Sequence, residues 1–513
     1  MVPGNPNQQT TYRLLPTAPN LDTAASMSSP DILIVGAGSA GCTLAHLLHH
    51  QYGYSVTLIE PGAAENPEIV AATEIDHTRP ARWLKLLGTS SDWNYATEAS
   101  QSLAGRSLNC PRGRGVGGSS RINAMIWFSP TDDDFNMFST AAADDRWSTA
   151  SLRSAYQAAE RLVQPESARW ISEPAERFLQ AATPFGTPVA YRRMNRNGRR
   201  WSPAALIADS SGVQTIRASV DRILFRDDQA VGVKLTNGDE IAAGKRVILS
   251  AGSIASPAIL MRSGIGPRDL LRDAGAQAWL DAAEVGQHLQ DHLVMPVVFS
   301  TSAAARFDLN VSPRDLVRFD ALGRGPLASN IAEAGGLFAS DTLQIHVTPT
   351  HYLRFPQPGA PAAMTIAVNP TKPKSRGQLA IRSLDASEPP RIDLRYLTDP
   401  ADVETTIAGV KLARSIAAQS PLQNWIGPEM VPGAKRDSDQ TIAKSISRYA
   451  QTLYHPVGTC GLGRVVDADL SVIGTRRLSI VDASVFPEMT VGNPNAMVIT
   501  LATWFANQLA GAC

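Results

Sequence analysis

The sequence predicts an α/β protein of two domains, one of them a parallel, nucleotide-binding half. Three observations predict it. The chain has 513 residues, more than one compact core usually holds. It opens with an apolar strand, a glycine turn, a helical pattern and a second apolar strand, a unit of about 30 residues. After that the texture changes to antiparallel strand patterns and a mixed region, and apolar strands with glycine turns return at the end.

Residues 1–29, rich in Pro, Asn, Thr and Ser, lack the basic start, apolar stretch and cleavage site of a secretory signal. They read as a flexible tail, with Met27 as an alternative start. Asp31 to Val35 reads as a strand, Gly36-Ala37-Gly38-Ser39-Ala40-Gly41 as the turn, Thr43 to His50 as a helix and Ser55 to Ile59 as the second strand, ending in Glu60. Strands are predicted over Thr215 to Phe225 and Ala230 to Leu235, a hairpin turn at Asn237-Gly238, and a strand over Lys245 to Leu249. In the mixed region Leu343 to Val347 and Met364 to Val368 read as strands and Asp402 to Ala418 as a helix. A helical pattern from Ala496 to Leu509 closes the chain. The expected organisation is discontinuous: nucleotide-binding parts at 30–150, 201–295 and 450–513, and substrate-facing parts at 151–200 and 296–449.

Composition narrows the class of protein. Lys plus Arg and Asp plus Glu both count 47, so no excess charge draws nucleic acid or an anionic membrane from a distance. With 43% hydrophobic and 18% charged residues, the chain reads as globular, and no run approaches the ~20 apolar residues of a membrane span. Cys42, Cys110, Cys460 and Cys513 are scattered, with neither zinc-site spacing nor the density of a disulfide scaffold. The expectation is a reducing, cytoplasmic location with no metal.

A lone GxGxxG motif is weak evidence, but this one lies between a strand and a helix. Gly36 permits the tight turn, Gly38 lets the backbone approach a pyrophosphate, and Gly41 allows helix and strand to pack closely. Glu60, nineteen residues after Gly41, is placed to accept from ribose hydroxyls, and an acid there disfavours a 2′-phosphate and hence NADP. A second glycine-rich run, Gly113-Arg114-Gly115-Val116-Gly117-Gly118-Ser119-Ser120-Arg121-Ile122-Asn123-Ala124-Met125, lets main chain approach something flat or phosphorylated.

The spacing of that run resembles the first signature of the glucose–methanol–choline (GMC) oxidoreductases, and Gly252-Ser253 through Ser256-Pro257 to Ser263-Gly264-Ile265-Gly266 resembles the second. The resemblance extends from about residue 30 through Asp92-Trp93-Asn94-Tyr95, Gly286 to His292, Tyr454-His455-Pro456-Val457-Gly458-Thr459, Val481-Asp482-Ala483-Ser484 and Gly492-Asn493-Pro494-Asn495. It is weakest over 130–210 and 296–449. It implies a Rossmann-like FAD-binding domain with a second α+β substrate domain built on an antiparallel sheet. Gly36, Gly38, Ser39, Ala40, Gly41 and Glu60 are then expected at the ADP portion, Val220 at the adenine, and Trp93, Gly117, Gly118, Asn123 and Ala124 along the cofactor. Asp482 and Ala483 fall to the ribityl and phosphate region, and Pro494 and Asn495 lie near the isoalloxazine. Members that attach FAD through a histidine carry it where this chain has Ile122, and an alkyl side chain cannot form that bond. The expectation is non-covalent FAD.

Oxidising an alcohol to a carbonyl needs a base for the hydroxyl proton and an acceptor for the hydride. The resemblance implies His455 as the base, Asn493 as the amide that orients and stabilises the alkoxide oxygen, and flavin N5 as the hydride acceptor, with oxygen or another carrier reoxidising the flavin. The Asn493 position places the chain nearer choline and hydroxymethylfurfural oxidisers than glucose oxidases. His292 reads as structural, His346 and His351 as candidates to line the pocket, and Phe355-Pro356-Gln357-Pro358 as a loop covering the site. Rival readings on the same scaffold are a hydroxynitrile-lyase-like enzyme, a photodecarboxylase and a non-catalytic flavin-binding protein.

Overall fold

The computed structural model describes residues 29–62, 76–208, 210, 212–309 and 311–511. The readings of residues 1–28, including Met27, and of Cys513 fall outside these. Every residue of Ile32–Val35 and Val56–Ile59 is buried, and all but Thr57 are apolar, the pattern of strands covered on both faces. They join Val213–Ile216, Arg246–Leu249 and Leu478–Ile480 in a sheet that, among the described residues, has five parallel strands, with Ile32–Val35 at its centre. Three distant stretches of chain thus build one sheet. The C-terminal helix Asn495–Gly511 lies against the first helix, Ser39–His50. It is apolar on nearly every side over its first three turns because sheet-side and helix-side neighbours enclose it.

The second layer is the antiparallel sheet of the substrate domain, with seven strands among the described residues. Its central strands are Leu293–Ser300, Ala363–Pro370, Leu343–Thr348 and Ala334–Phe338, and Val189–Ala190 lies at one edge. The helix Pro400–Ala417 covers the far face; Asp399 caps its start, accepting from the Ala401 amide at 2.9 Å. In Leu343–Thr348 the apolar Leu343, Ile345 and Val347 enter the core under that helix, so period-2 alternation turns Gln344, His346 and Thr348 the other way.

The structure differs from the sequence expectation at one strand. Thr215 to Phe225 is not continuous: Val213–Ile216 ends the parallel sheet, and Val220–Arg226 starts a separate antiparallel sheet with Gln229–Leu235 and Glu240–Ala242. Apolar residues on both sides of Arg217-Ala218-Ser219 gave one hydrophobic signal, but the chain changes sheets there. The turn at Asn237-Gly238 joins the last two strands, with Gly238 at φ +96°. Among the described residues no helix is long and apolar enough to cross a membrane.

Candidate active site

A cavity of about 1180 Å³ runs from the carboxyl ends of the parallel strands to the face of the antiparallel sheet. Ligand pockets are commonly about 300–1,000 Å³, so it has room for a dinucleotide and a small second molecule. At its nucleotide end the two glycine runs touch: a Cβ on Gly118 would stand 2.7 Å from the Gly38 Cα, and one on Gly36 would stand 2.6 Å from the Ser250 carbonyl oxygen. Only bare backbone fits this cradle.

The helix Ser39–His50 begins at the cavity, and its N-cap, Gly38, supplies no capping side chain; no acid lies in its first turn. Its first amides therefore need an acceptor and carry the positive end of the helix dipole. A pyrophosphate meets both needs. Ser39 Oγ donates to Asn495 Oδ1 at 2.7 Å, tying this turn to the start of the C-terminal helix. These features fit FAD, whose flavin supplies hydride-accepting chemistry when bound.

Gly36, Gly38, Ser39, Ala40, Glu60, Trp93, Gly118, Asn123, Ala124, Val220, Asp482, Ala483, Asn493, Pro494, Asn495 and His455 all line the cavity. Two expected residues do not. Gly41 packs helix against strand: a Cβ there would lie 1.9 Å from the Gly36 carbonyl oxygen. Gly117 faces Arg121, Ser202 and Ala204, the first of them 2.8 Å from an added Cβ. Both act on cavity shape from behind.

Three carboxylate or amide groups also do more than the motif suggests. Glu60 accepts from the amides of Ala37 at 3.0 Å, Gly115 at 2.9 Å and Gly62 at 3.2 Å, so it joins the two glycine runs while facing the cavity. Asp482 accepts from the Gly252 and Ser484 amides, both at 2.8 Å, and from Ser256 Oγ at 2.6 Å. Burial still holds its carboxyl above the usual range. Asn123 Oδ1 accepts from Arg200 Nη1 at 3.0 Å and from the Met125 amide at 3.0 Å.

At the other end of the cavity, Asn493 Nδ2 lies 3.1 Å from His455 Nε2. Several contacts fix His455. Tyr454 before it has φ +67° and its carbonyl accepts from Arg112; the His455 amide donates to Asp291 Oδ1 at 2.7 Å. The hydroxyls of Tyr396 and Thr452 donate to Asp291 Oδ2. Burial pushes the Asp291 carboxyl up, against these donors.

The chain of hydrogen bonds behind His455 sets its tautomer. His292 Nε2 lies 2.9 Å from the Thr371 carbonyl oxygen, which can only accept, so Nε2 carries the proton. Burial lowers the His292 pKa to about 4, so its Nδ1 keeps a lone pair at neutral pH. That nitrogen is 3.0 Å from His455 Nδ1, which must then donate. His455 Nε2 is left as the acceptor beside Asn493. Burial first, then the neighbouring His292, His346 and Arg112, hold His455 well below the ordinary histidine range. Gln344 Nε2 donates to Asn493 Oδ1 at 3.4 Å, which turns the Asn493 amide nitrogen toward His455.

His292, read from sequence as structural, is thus the direct partner of His455. His346 lines the cavity and His351 does not, because it begins a turn behind the wall, its carbonyl accepting from the Arg354 and Phe355 amides at 2.9 Å. Phe355, from the loop expected to cover the site, reaches the lining. Asp291 and Gln344 were missed by sequence reasoning. Gln344 was legible in principle, since it shares the polar alternation of its strand with His346.

A dinucleotide cradle and a neutral histidine–amide pair at opposite ends of one cavity define a two-domain oxidoreductase acting on CH–OH groups. Residues 30–294 and 373–502 match the N- and C-terminal GMC oxidoreductase domains. An alcohol dehydrogenase (acceptor) of Pseudomonas putida is 32% identical over 92% of this chain and 94% of its own length. An oxygen-dependent choline dehydrogenase of Pseudomonas savastanoi pv. phaseolicola is 31% identical over 95% and 94%. The solved pyridoxine 4-oxidase of Mesorbium loti superposes with a TM-score of 0.80 at 28% identity, covering 93% of this chain and 98% of that one. The chain belongs to the GMC oxidoreductase family and is an FAD-dependent enzyme acting on alcohols.

Proposed function

We propose that the enzyme oxidises a neutral primary alcohol with an apolar or aromatic body to its aldehyde, using dissociable FAD. The observation that carries this reading is the His455 Nε2 lone pair, held beside the Asn493 amide at 3.1 Å. The substrate hydroxyl donates to Nε2, and His455 takes its proton as the carbon–hydrogen bond breaks. The Asn493 amide donates to the same oxygen and stabilises the developing negative charge. The His292 bond on the far side of the ring keeps the accepting nitrogen turned to the substrate.

The cavity walls support the substrate class. Trp83, Leu87, Ile126 and Phe355 give apolar surface, and Thr348 and Thr350 give neutral polar surface. Neither ring nitrogen of the buried His346 has a hydrogen-bond partner, and burial drives its pKa to about 3. A neutral polar group on the substrate satisfies it. Ile122, at the cavity wall, supports non-covalent attachment.

Two measurements test the reading. Acid precipitation of the purified enzyme should leave yellow flavin in the supernatant; flavin in the pellet means a covalent bond. Anaerobic reduction of the flavin by benzyl alcohol should slow by about 10²–10⁴-fold in His455→Ala while the flavin content is kept, and unchanged reduction would remove His455 from the chemistry. Recovery of the reduced enzyme in air separates oxygen from another acceptor.

A further inference from the structure

Ile331 lines the cavity with a strained backbone. Its φ is +68°, a region β-branched side chains rarely adopt because Cβ crowds the backbone. The Ala332 amide donates to the Asn330 carbonyl across it at 2.8 Å, closing a three-residue γ-turn of the rare, positive-φ kind. Glycine removes this strain, yet the position carries an isoleucine that is 2% exposed and lines the cavity.

The turn is held from both sides. Asn330 Nδ2 donates to the Ala124 carbonyl at 2.8 Å, and Trp83 Nε1 donates to the Asn330 carbonyl at 3.0 Å. The Ile331 amide donates to Ser329 Oγ at 2.9 Å, and Ser329 Oγ donates to the buried Glu333. Glu333 also accepts from the Ser172 amide at 2.8 Å, and its own amide donates to the Val347 carbonyl at 3.2 Å. The turn is therefore fixed between the glycine-rich segment at Ala124 and the strand bearing His346. Backbone strain kept by such bracing at a cavity wall points to a use for the side chain.

We infer that Ile331 is a specificity-determining residue, a wedge that narrows the substrate end of the cavity and selects slim alcohols over broad ones. The inference rests on the alcohol-oxidation reading above and adds the feature that sets substrate width. Removing the side chain widens the cavity at this wall, and removing Cβ as well releases the turn. A single buried apolar group commonly changes discrimination by about 10-fold or more.

The test uses the full-length holoenzyme, Ile331→Gly and Ile331→Ala, with benzyl alcohol and 2-naphthylmethanol as probes. The ratio of kcat/KM for the naphthyl over the benzyl alcohol should rise at least about 10-fold in Ile331→Gly. Ile331→Gly should melt at or above Ile331→Ala, the reverse of the order at an unstrained buried site. A ratio within about twofold of wild type, with benzyl alcohol still oxidised, overturns the inference and leaves the alcohol reading intact; a lower melting point for glycine than for alanine overturns the strain argument. If wild type is reduced by neither alcohol, the alcohol reading fails, and the dissociation constants of both probes, read from perturbation of the flavin spectrum, decide the wedge by the same ratio. Equal or absent binding in all three proteins overturns it.

Discussion

At the scale of the residue, the site depends on which nitrogen of His455 carries a proton. The Thr371 carbonyl sets His292, and His292 sets His455. His292→Phe keeps a ring but removes the acceptor, and should slow anaerobic flavin reduction about 100-fold; His292→Gln restores an acceptor oxygen and should recover most of the rate. Equal losses in both variants would reduce His292 to a packing role. The pH profile follows from the same burial. The folded pKa of His455 lies well below 6.5, and protonation removes its lone pair, so activity is lost only as pH falls through that lowered value. The acid limb of kcat/KM should lie below 6.5, and a limb above it would contradict the assigned environment. His455 and Asn493 were legible because their motifs are local in sequence. The His292 contact was not, because it spans 163 residues and His292 sits in a motif with no chemistry of its own.

At the scale of the element, backbone contacts that exclude side chains decide cofactor binding. A Cβ on Gly41 would lie 1.9 Å from a backbone oxygen that has no freedom to move, so Gly41→Ala should destabilise the protein by about 1–3 kcal/mol and lower its flavin content. Thermal melting and the flavin-to-protein absorbance ratio check it, and a fully flavinated variant with wild-type melting would place the first helix further from the strand than described. The opening strand–turn–helix was legible because parallel strands and glycine turns write continuous local signals. The strand Leu343–Thr348 was legible as a strand, and its polar face only after the sheet showed which side meets the cavity. The break at Arg217-Ala218-Ser219 was not legible, since β-favouring residues such as Ile216, Val220 and Ile223 stand on both sides and only the pairing separates the two strands.

At the scale of the whole molecule, distant stretches assemble one sheet and one cavity, and folding buries several neutral histidines. Burial lowers His77 and His292 to about 4 and His346 to about 3. The unfolded chain protonates each near 6.5 while the folded chain does not, so stability present above 6.5 is lost as pH falls toward the folded value, by about 1.4 kcal/mol per pH unit per group. His346→Gln should therefore show a shallower fall of Tm between pH 6.5 and 4 than wild type, and an equal slope would mean that His346 is charged or hydrated in the fold. The two-domain plan was legible from length and texture, whereas the meeting of Ser39 with Asn495, 456 residues apart, was not. The central claim is that the two ends of this cavity form one alcohol-oxidising site, and anaerobic mixing of wild-type enzyme with benzyl alcohol tests it most directly. The account predicts that the flavin bleaches with one equivalent of benzaldehyde formed per flavin; a bound flavin that no primary alcohol bleaches would contradict it and favour a lyase or decarboxylase on the same scaffold.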